Sequence, residues 1–300
     1  MRLGLHLESV PQEGLASLDA AEALLGLPVE ILHWFQAWGG GHGPFRADWL
    51  DAVAATGRTG LLTWEPWALT GEATQPAYAP EAIAAGSHDA YLASWAAGFA
   101  ARTDGPWAIR LMHEANGTWY PWSGRQPGAG PDAYKAAWVH IHDVFRAAGA
   151  ATAVRWVWCP LVDDVAGPFE AWYPGDAYVD LLALDAYNWG AAVPENGGWR
   201  TPGQLLDGAY DRLAALGPQP IWLAELGCAP EAPLAVLGAA TGAHATVHPK
   251  AAWLAELLSS APQRWPRLEA VVFFSLAKER DWRVHHDPAV ATAIRSALGR

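Results

Sequence analysis

Short apolar runs alternate with amphipathic stretches along the whole chain. Eight runs are bounded by Gly, Pro or polar residues, which is typical of strands buried on both faces. These predicted strands are Leu3–Leu7, Ile31–Gln36, Leu61–Glu65, Ala108–Met112, Val154–Cys159, Asp180–Tyr187, Ile221–Glu225 and Ala270–Ser275. The predicted helices are Ser17–Leu25, Ala47–Thr56, Asp89–Arg102, Asp132–Ala148, Pro202–Leu216, Pro249–Leu258 and Pro288–Leu298. Most begin at Ser, Asp or Pro and end near Gly.

The alternation of strands and helices predicts an α/β fold, a single (β/α)8 TIM barrel over residues 1–300. The helix between the fifth and sixth strands is weak, because Phe169–Pro174 allows only a turn or two. A doubly wound open sheet is the alternative. It is disfavoured because no Gly-x-Gly-x-x-Gly turn follows an early strand. Linkers, repeats and low-complexity tracts are absent from the sequence, so we expect one domain.

Two carboxylates stand at predicted strand ends, where TIM barrels carry their active sites. Glu114 follows the fourth strand and Glu225 closes the seventh. A lone glutamate there is more often part of a structural ion pair. Two at one barrel mouth, each near aromatic residues, favour glycoside hydrolysis, with carboxyl groups about 5–5.5 Å apart in retaining enzymes and about 6.5–9.5 Å apart in inverting ones.

Strand alternation extends this hypothesis to neighbouring polar residues. Asp185 and Tyr187 share one strand face, and Arg110 would share a face with Glu114. Since a buried Asp or Arg is costly without a partner, we expect Arg110 and Asp185 in one polar network beneath the site. Tyr187 is expected to donate its hydroxyl to Glu225 and orient it. The alternative is that Tyr187 only lines the mouth.

Composition and charge exclude several classes of partner and cofactor. The formal charge of −12 argues against nucleic acid and anionic membranes. Without a long apolar run or an N-terminal signal pattern, we expect a cytoplasmic monomer, or a secreted one if a signal was removed. Two cysteines give no disulfide framework, and we expect free thiols. Because no His-Glu-x-x-His or Cys-x-x-Cys occurs, we expect neither metal nor cofactor.

The chain contains 19 tryptophans, which is far above ordinary usage. Most are expected in the core because Trp is large and mostly buried. The remainder lie in Gly- and Pro-rich loops without an obvious core to join, namely Trp38, Trp67, Trp119, Trp122, Trp189, Trp199 and Trp282. Exposed indole rings stack on the apolar faces of sugars, so these loops favour a carbohydrate ligand.

Several segments together resemble one known family. They are Arg110-Leu-Met-His-Glu-Ala-Asn-Gly-Thr-Trp-Tyr-Pro-Trp122, Thr63–Trp67, Trp172–Asp180, Leu184–Trp189, Ala224–Gly227, Lys250–Trp253 and Asp281–Val284. The resemblance is to glycoside hydrolase family 26, which comprises retaining (β/α)8 glycosidases. It implies that Glu114 is the acid/base and Glu225 the nucleophile. It also implies that His113 and Trp119 line the subsite at the cleaved bond, that Tyr187 holds the nucleophile and that Trp282 is a sugar platform.

The full set of candidate residues follows from the motifs and the resemblance. Further substrate-binding candidates are Trp64, Trp122 and Trp189, and supporting candidates are Arg110, Asn116 and Asp185. The expected substrate is β-1,4-mannan or glucomannan. The alternatives are a mixed-linkage β-glucan, a β-1,3-xylan, or a glycan-binding barrel without catalysis. Ala115 and Ser275 depart from the family pattern, and we expect both to reshape the subsite next to the cleaved bond.

Overall fold

Eight parallel strands follow one another around a closed barrel, as the sequence predicts. The structure is a computed structural model that describes residues 1–41, 43–72, 74–232 and 248–299. The strands are β1 (Arg2–His6), β2 (Ile31–Ala37), β3 (Thr59–Glu65), β4 (Trp107–Leu111), β5 (Val154–Trp158), β6 (Leu181–Asn188), β7 (Ile221–Cys228) and β8 (Leu268–Phe274). The predicted (β/α)8 architecture is therefore confirmed.

Helices follow most strands. They are α1 (Ala16–Leu25), α2 (Ala47–Ala54), α3 (Pro80–Ala84), α4 (Asp89–Ala100), α5 (Pro131–Ala147), α6 (Pro202–Ala214), α7 (Pro249–Arg264) and α8 (Pro288–Ala297). The short α3 was not predicted, since five residues show no clear periodicity. Between β5 and β6 the chain forms only the 3-10 turns Phe169–Trp172 and Asp176–Tyr178, as expected for this weak helical pattern. None of the helices in the described residues is long and apolar enough to span a membrane.

The chain divides into two compact units. The first comprises Met1–Leu32, Asp185–Ala214 and Ile221–Arg300. In this unit β1 pairs with β8 and β7 pairs with β8, all in parallel. The β7–β8 register shifts between Leu223 and Leu226, a stretch that includes Glu225. A local irregularity of this kind redirects a side chain, and here it occurs at the candidate nucleophile.

The second unit comprises His33–Leu184 and Ala215–Pro220. Its strands β3, β4 and β5 pair in parallel, and every residue of β4 is buried. Such two-sided burial explains why these strands are largely apolar in the sequence. Cys159 and Cys228 are both buried thiols that are not joined in a disulfide.

Candidate active site

Glu114 lies in a tight turn beyond β4, not at the end of the strand as the sequence suggested. The strand ends at Leu111. Met112 and Glu114 then take left-handed backbone conformations, with φ of 44° and 53°. Residues other than glycine rarely adopt this region, and such strain is concentrated at functional sites. The alternation argument that placed Arg110 and Glu114 on one face therefore does not apply, because the strand has ended before Glu114.

The Glu114 carboxylate is held by an aromatic donor. It is only 7% exposed, and its Oε2 accepts a 2.9 Å hydrogen bond from Trp119 Nε1. The backbone N–H of Glu114 donates to the Cys159 carbonyl at 2.8 Å, which anchors the turn. Trp119 is 39% exposed. Its indole therefore orients the carboxylate and also offers surface to a ligand.

The other aromatic residues of this loop form a layered cluster. The Tyr120 ring stacks on Trp122 at 4.5 Å, and its hydroxyl lies 3.2 Å from His113 Nε2. Trp122 donates from Nε1 to the His113 carbonyl at 2.6 Å and is fully buried. Trp122 therefore supports the loop and offers no face to a sugar, which corrects the expectation of direct binding. Tyr120 is half-buried and was not among the candidates, although the motif contains it.

Asn116 and Arg110 have supporting positions. Asn116 is fully buried, and its amide exchanges hydrogen bonds with Leu161, receiving the N–H at 2.9 Å and donating to the carbonyl at 3.1 Å. It thereby ties the turn after β4 to the loop after β5. The buried Arg110 donates from Nε to Thr63 Oγ1 at 2.7 Å, with His33 nearby. The predicted association of Arg110 with Asp185 stays a prediction.

Trp64 is a core residue and not a binding surface. It is fully buried, packs against Trp95 with ring centroids 4.7 Å apart, and donates to the Tyr91 hydroxyl at 3.1 Å. Trp67, two residues beyond the end of β3, is half-buried and remains a candidate for sugar contact. Its Nε1 donates to Glu65 Oε2 at 3.2 Å. The strand ends at Glu65, so the side chain that leaves the core comes after it.

Glu225 is the candidate nucleophile and belongs to the first unit. It lies within β7, is 4% exposed, and accepts a short hydrogen bond at Oε2 from the Tyr187 hydroxyl. The predicted contact between these two side chains is thus present. Tyr187 belongs to β6 and is half-buried, and Asp185 on the same strand is fully buried. A phenol O–H donated to a carboxylate holds it in a fixed orientation.

Trp282 lies behind Tyr187 and is 0% exposed. Its ring contacts Tyr187 and Trp189, with centroid distances of 5.0 and 5.2 Å. The expected sugar platform is therefore wrong for this structure, because a buried ring has no face to offer. Trp189 is half-buried and remains a candidate for sugar contact. The loop position of Trp38, Trp122 and Trp282 suggested exposure, but all three are buried by tertiary packing.

Sequence comparison identifies a family match across the middle of the chain. The sequence model described as glycosyl hydrolase family 26 matches residues 91–218. This segment contains Glu114 and Tyr187 but not Glu225. Endoglucanase H of Acetivibrio thermocellus is 32% identical over 303 aligned residues, which is 100% of this chain and 30% of that protein. The chain thus spans about a third of that relative.

Two further similarities point in the same direction. A mannan endo-1,4-beta-mannosidase of Thermothelomyces thermophilus is 34% identical over 122 residues, covering 40% of this chain and 21% of that protein. Among solved structures, a modular endo-beta-1,4-mannanase from Cellulomonas fimi superposes with a TM-score of 0.69 at 17% identity, covering 100% of this chain and 70% of that one. At this identity the structural match supports the fold alone.

Proposed function

We propose that the chain is a member of glycosyl hydrolase family 26 and a retaining endo-β-glycosidase that cleaves polysaccharides, on the basis of the family model that matches residues 91–218. The observation that carries the proposal is that two carboxylates share the same kind of environment. Glu114 after β4 and Glu225 in β7 are both buried, and each accepts a hydrogen bond from an aromatic side chain. In a parallel barrel the carboxyl ends of all strands face the same rim. A surface ion pair would require neither the burial nor the aromatic donors.

In the first step of the proposed reaction, the ionised Glu225 attacks the anomeric carbon. The glycosidic C–O bond breaks, and Glu114 transfers its proton to the departing oxygen. Tyr187 holds the attacking carboxylate in orientation through its hydroxyl. Trp119 holds the Glu114 carboxyl group through its indole N–H, so the acid is fixed before substrate arrives.

In the second step, water attacks the anomeric carbon of the glycosyl-enzyme. Glu114, now a carboxylate, takes a proton from that water, and the bond to Glu225 breaks to release its carboxylate. The sugar regains its original β configuration because the anomeric carbon is inverted twice. A proton NMR time course that shows the α anomer as the first product would refute the retaining mechanism.

For the substrate, we propose β-1,4-mannan or glucomannan. The support is the family and the relative named mannan endo-1,4-beta-mannosidase. A β-glucan is the second candidate, because the relative aligned over the whole chain is named endoglucanase H. Reducing-sugar release from galactomannan, glucomannan, barley β-glucan and xylan separates these possibilities. A rapid loss of viscosity relative to sugar release is the expected sign of endo action.

The catalytic assignment is tested with Glu225→Ala and Glu114→Ala. We expect each to lower turnover by several orders of magnitude while the chain stays folded. Water cannot take the place of the carboxylate nucleophile or of the carboxylic acid that donates the proton. Azide should restore cleavage of an activated aryl glycoside in both variants, with an α-glycosyl azide from Glu225→Ala and a β-glycosyl azide from Glu114→Ala. Near-normal turnover in either variant contradicts the assignment.

The matched control is Glu256→Gln, since Glu256 is exposed on α7. It should leave turnover unchanged. The non-enzymatic alternative, a glycan-binding barrel, is tested with the same panel. Oligosaccharide binding by calorimetry without any release of reducing ends would establish that alternative and exclude hydrolysis.

A further inference from the structure

Lys250 is a buried cation that the proposed reaction does not use. It lies at the start of α7 and is only 3% exposed. Its ammonium donates to two backbone carbonyls of the loop after β8, those of Asp281 at 2.8 Å and Arg283 at 2.9 Å. Trp282 stands between these two residues. The lysine therefore fixes the loop on both sides of this tryptophan.

The charges around Lys250 do not form an ordinary ion pair. The Asp281 carboxylate is bound by the Arg283 guanidinium at 2.7 Å, and the ammonium meets backbone oxygens instead. Burial lowers the pKa of Lys250 to about 8 and raises the pKa of the nearby Cys228 thiol to about 12. Burying a cation in this way is costly, and the cost is offset only in part by the two carbonyls. A well-packed apolar side chain could fill this position without the cost of burying a charge. The lysine therefore indicates a specific structural role.

The role of this lysine follows from the residues that Trp282 contacts. Its indole ring contacts Tyr187 with a centroid distance of 5.0 Å. The Tyr187 hydroxyl in turn donates to Glu225. A loop shift that moved the indole would remove an aromatic ring that packs closer to Tyr187 than do those of Trp189 and Phe274, each at 6.0 Å.

We propose that Lys250 is a positioning residue for the nucleophile: it fixes the carbonyls that flank Trp282, and Trp282 holds Tyr187 against Glu225. This inference rests on the proposed function, because it gives Glu225 the role of nucleophile. Lys250 does not touch the reacting atoms. Its effect reaches them through the loop after β8 and the tyrosine ring.

The test is a double-mutant cycle between Lys250→Met and Tyr187→Phe. Methionine keeps the length and removes the donors, and phenylalanine keeps the ring and removes the hydroxyl. We expect each single variant to lower kcat by about 10- to 100-fold, the loss typical of one hydrogen bond to a charged group, with KM changed much less. If Lys250 acts through Tyr187, the double variant is no slower than the slower single variant.

Multiplicative losses in the double variant would overturn the proposal, because they mean that the two residues act independently. An unchanged kcat in Lys250→Met would also overturn it. If Lys250→Met does not fold, Lys250→Gln takes its place in the same cycle, since it removes the ammonium and its charge but leaves a polar side chain near the two carbonyls. The control is Lys135→Met, which removes only a surface ion pair with Asp132 and should leave kcat unchanged.

The Glu225→Ala variant distinguishes failure of the proposed function from failure of the positioning role of Lys250. If that variant retains full turnover, the nucleophile is misassigned, and the coupling of Lys250 to Tyr187 has no catalytic meaning. If Glu225→Ala is inactive and the cycle shows independence, the reaction stands and only the positioning role of Lys250 is refuted. Near-UV circular dichroism of Lys250→Met gives a second reading, since displacement of Trp282 alters the aromatic signal whether or not a substrate is known.

Discussion

Replacing Gly227 with alanine tests the support of the nucleophile with the addition of one methyl group. Gly227 belongs to β7, two residues after Glu225, and its backbone φ is not in the left-handed region. Alanine is therefore allowed by the backbone. The obstacle is steric, because a Cβ would lie 2.4 Å from Tyr187 Cδ1 and 2.8 Å from Trp282 Cε3.

The magnitude follows from these distances. Carbon atoms in contact prefer separations of about 3.5–4.0 Å, so the tyrosine ring must move by about 1 Å. Such overpacking costs about 1–3 kcal/mol of unfolding free energy. The same movement removes the Tyr187 hydroxyl from Glu225, a charge-assisted bond worth about 1.5–3 kcal/mol, so we expect kcat to fall about 10- to 100-fold.

The assay combines steady-state kinetics on soluble glucomannan or β-glucan with urea unfolding. The control is Gly208→Ala, since Gly208 is exposed within α6 and a Cβ there has no neighbour within 4 Å. That variant should keep its kcat and gain up to about 1 kcal/mol of stability from helix propensity. If Gly227→Ala had the stability and kcat of the unmodified chain, the close contact among these side chains would not support the nucleophile.

Three further predictions use the same structure. Tyr187→Phe should lower kcat about 10- to 100-fold, measured on the best substrate, with unfolding free energy changed far less. Asn116→Ala leaves the Leu161 N–H without its acceptor, so urea unfolding should show a loss of about 1–3 kcal/mol. Because the pKa of Lys250 is about 8 in the folded chain, below its ordinary value, the unfolded chain binds more protons between about pH 8 and 10.5. Unfolding free energy should therefore rise over this window relative to Lys250→Met, by about 3 kcal/mol, and equal slopes for the two proteins would contradict the burial of the charge.

The sequence by itself determined the strand order, the barrel and the two carboxylates. Strands buried on both faces must be continuous apolar runs, so their positions can be read directly from the chain. Glu114 and Glu225 stand out as a pair, because both stand at predicted strand ends of one barrel and each is close to aromatic residues. The contact between Tyr187 and Glu225 also followed, because it depends only on two neighbouring strands of a parallel barrel.

Tertiary structure alone decided which aromatic rings are exposed and how the Glu114 carboxylate is held. Trp64, Trp122 and Trp282 were expected to bind sugar, yet all three are buried, while the half-buried Tyr120 was not among the candidates. A loop residue becomes core or surface according to what packs over it, and that depends on segments distant in sequence. For the same reason, the sequence did not identify a role for Lys250. Its partners lie more than thirty residues away, and they are backbone carbonyls, which a pattern of side chains cannot predict.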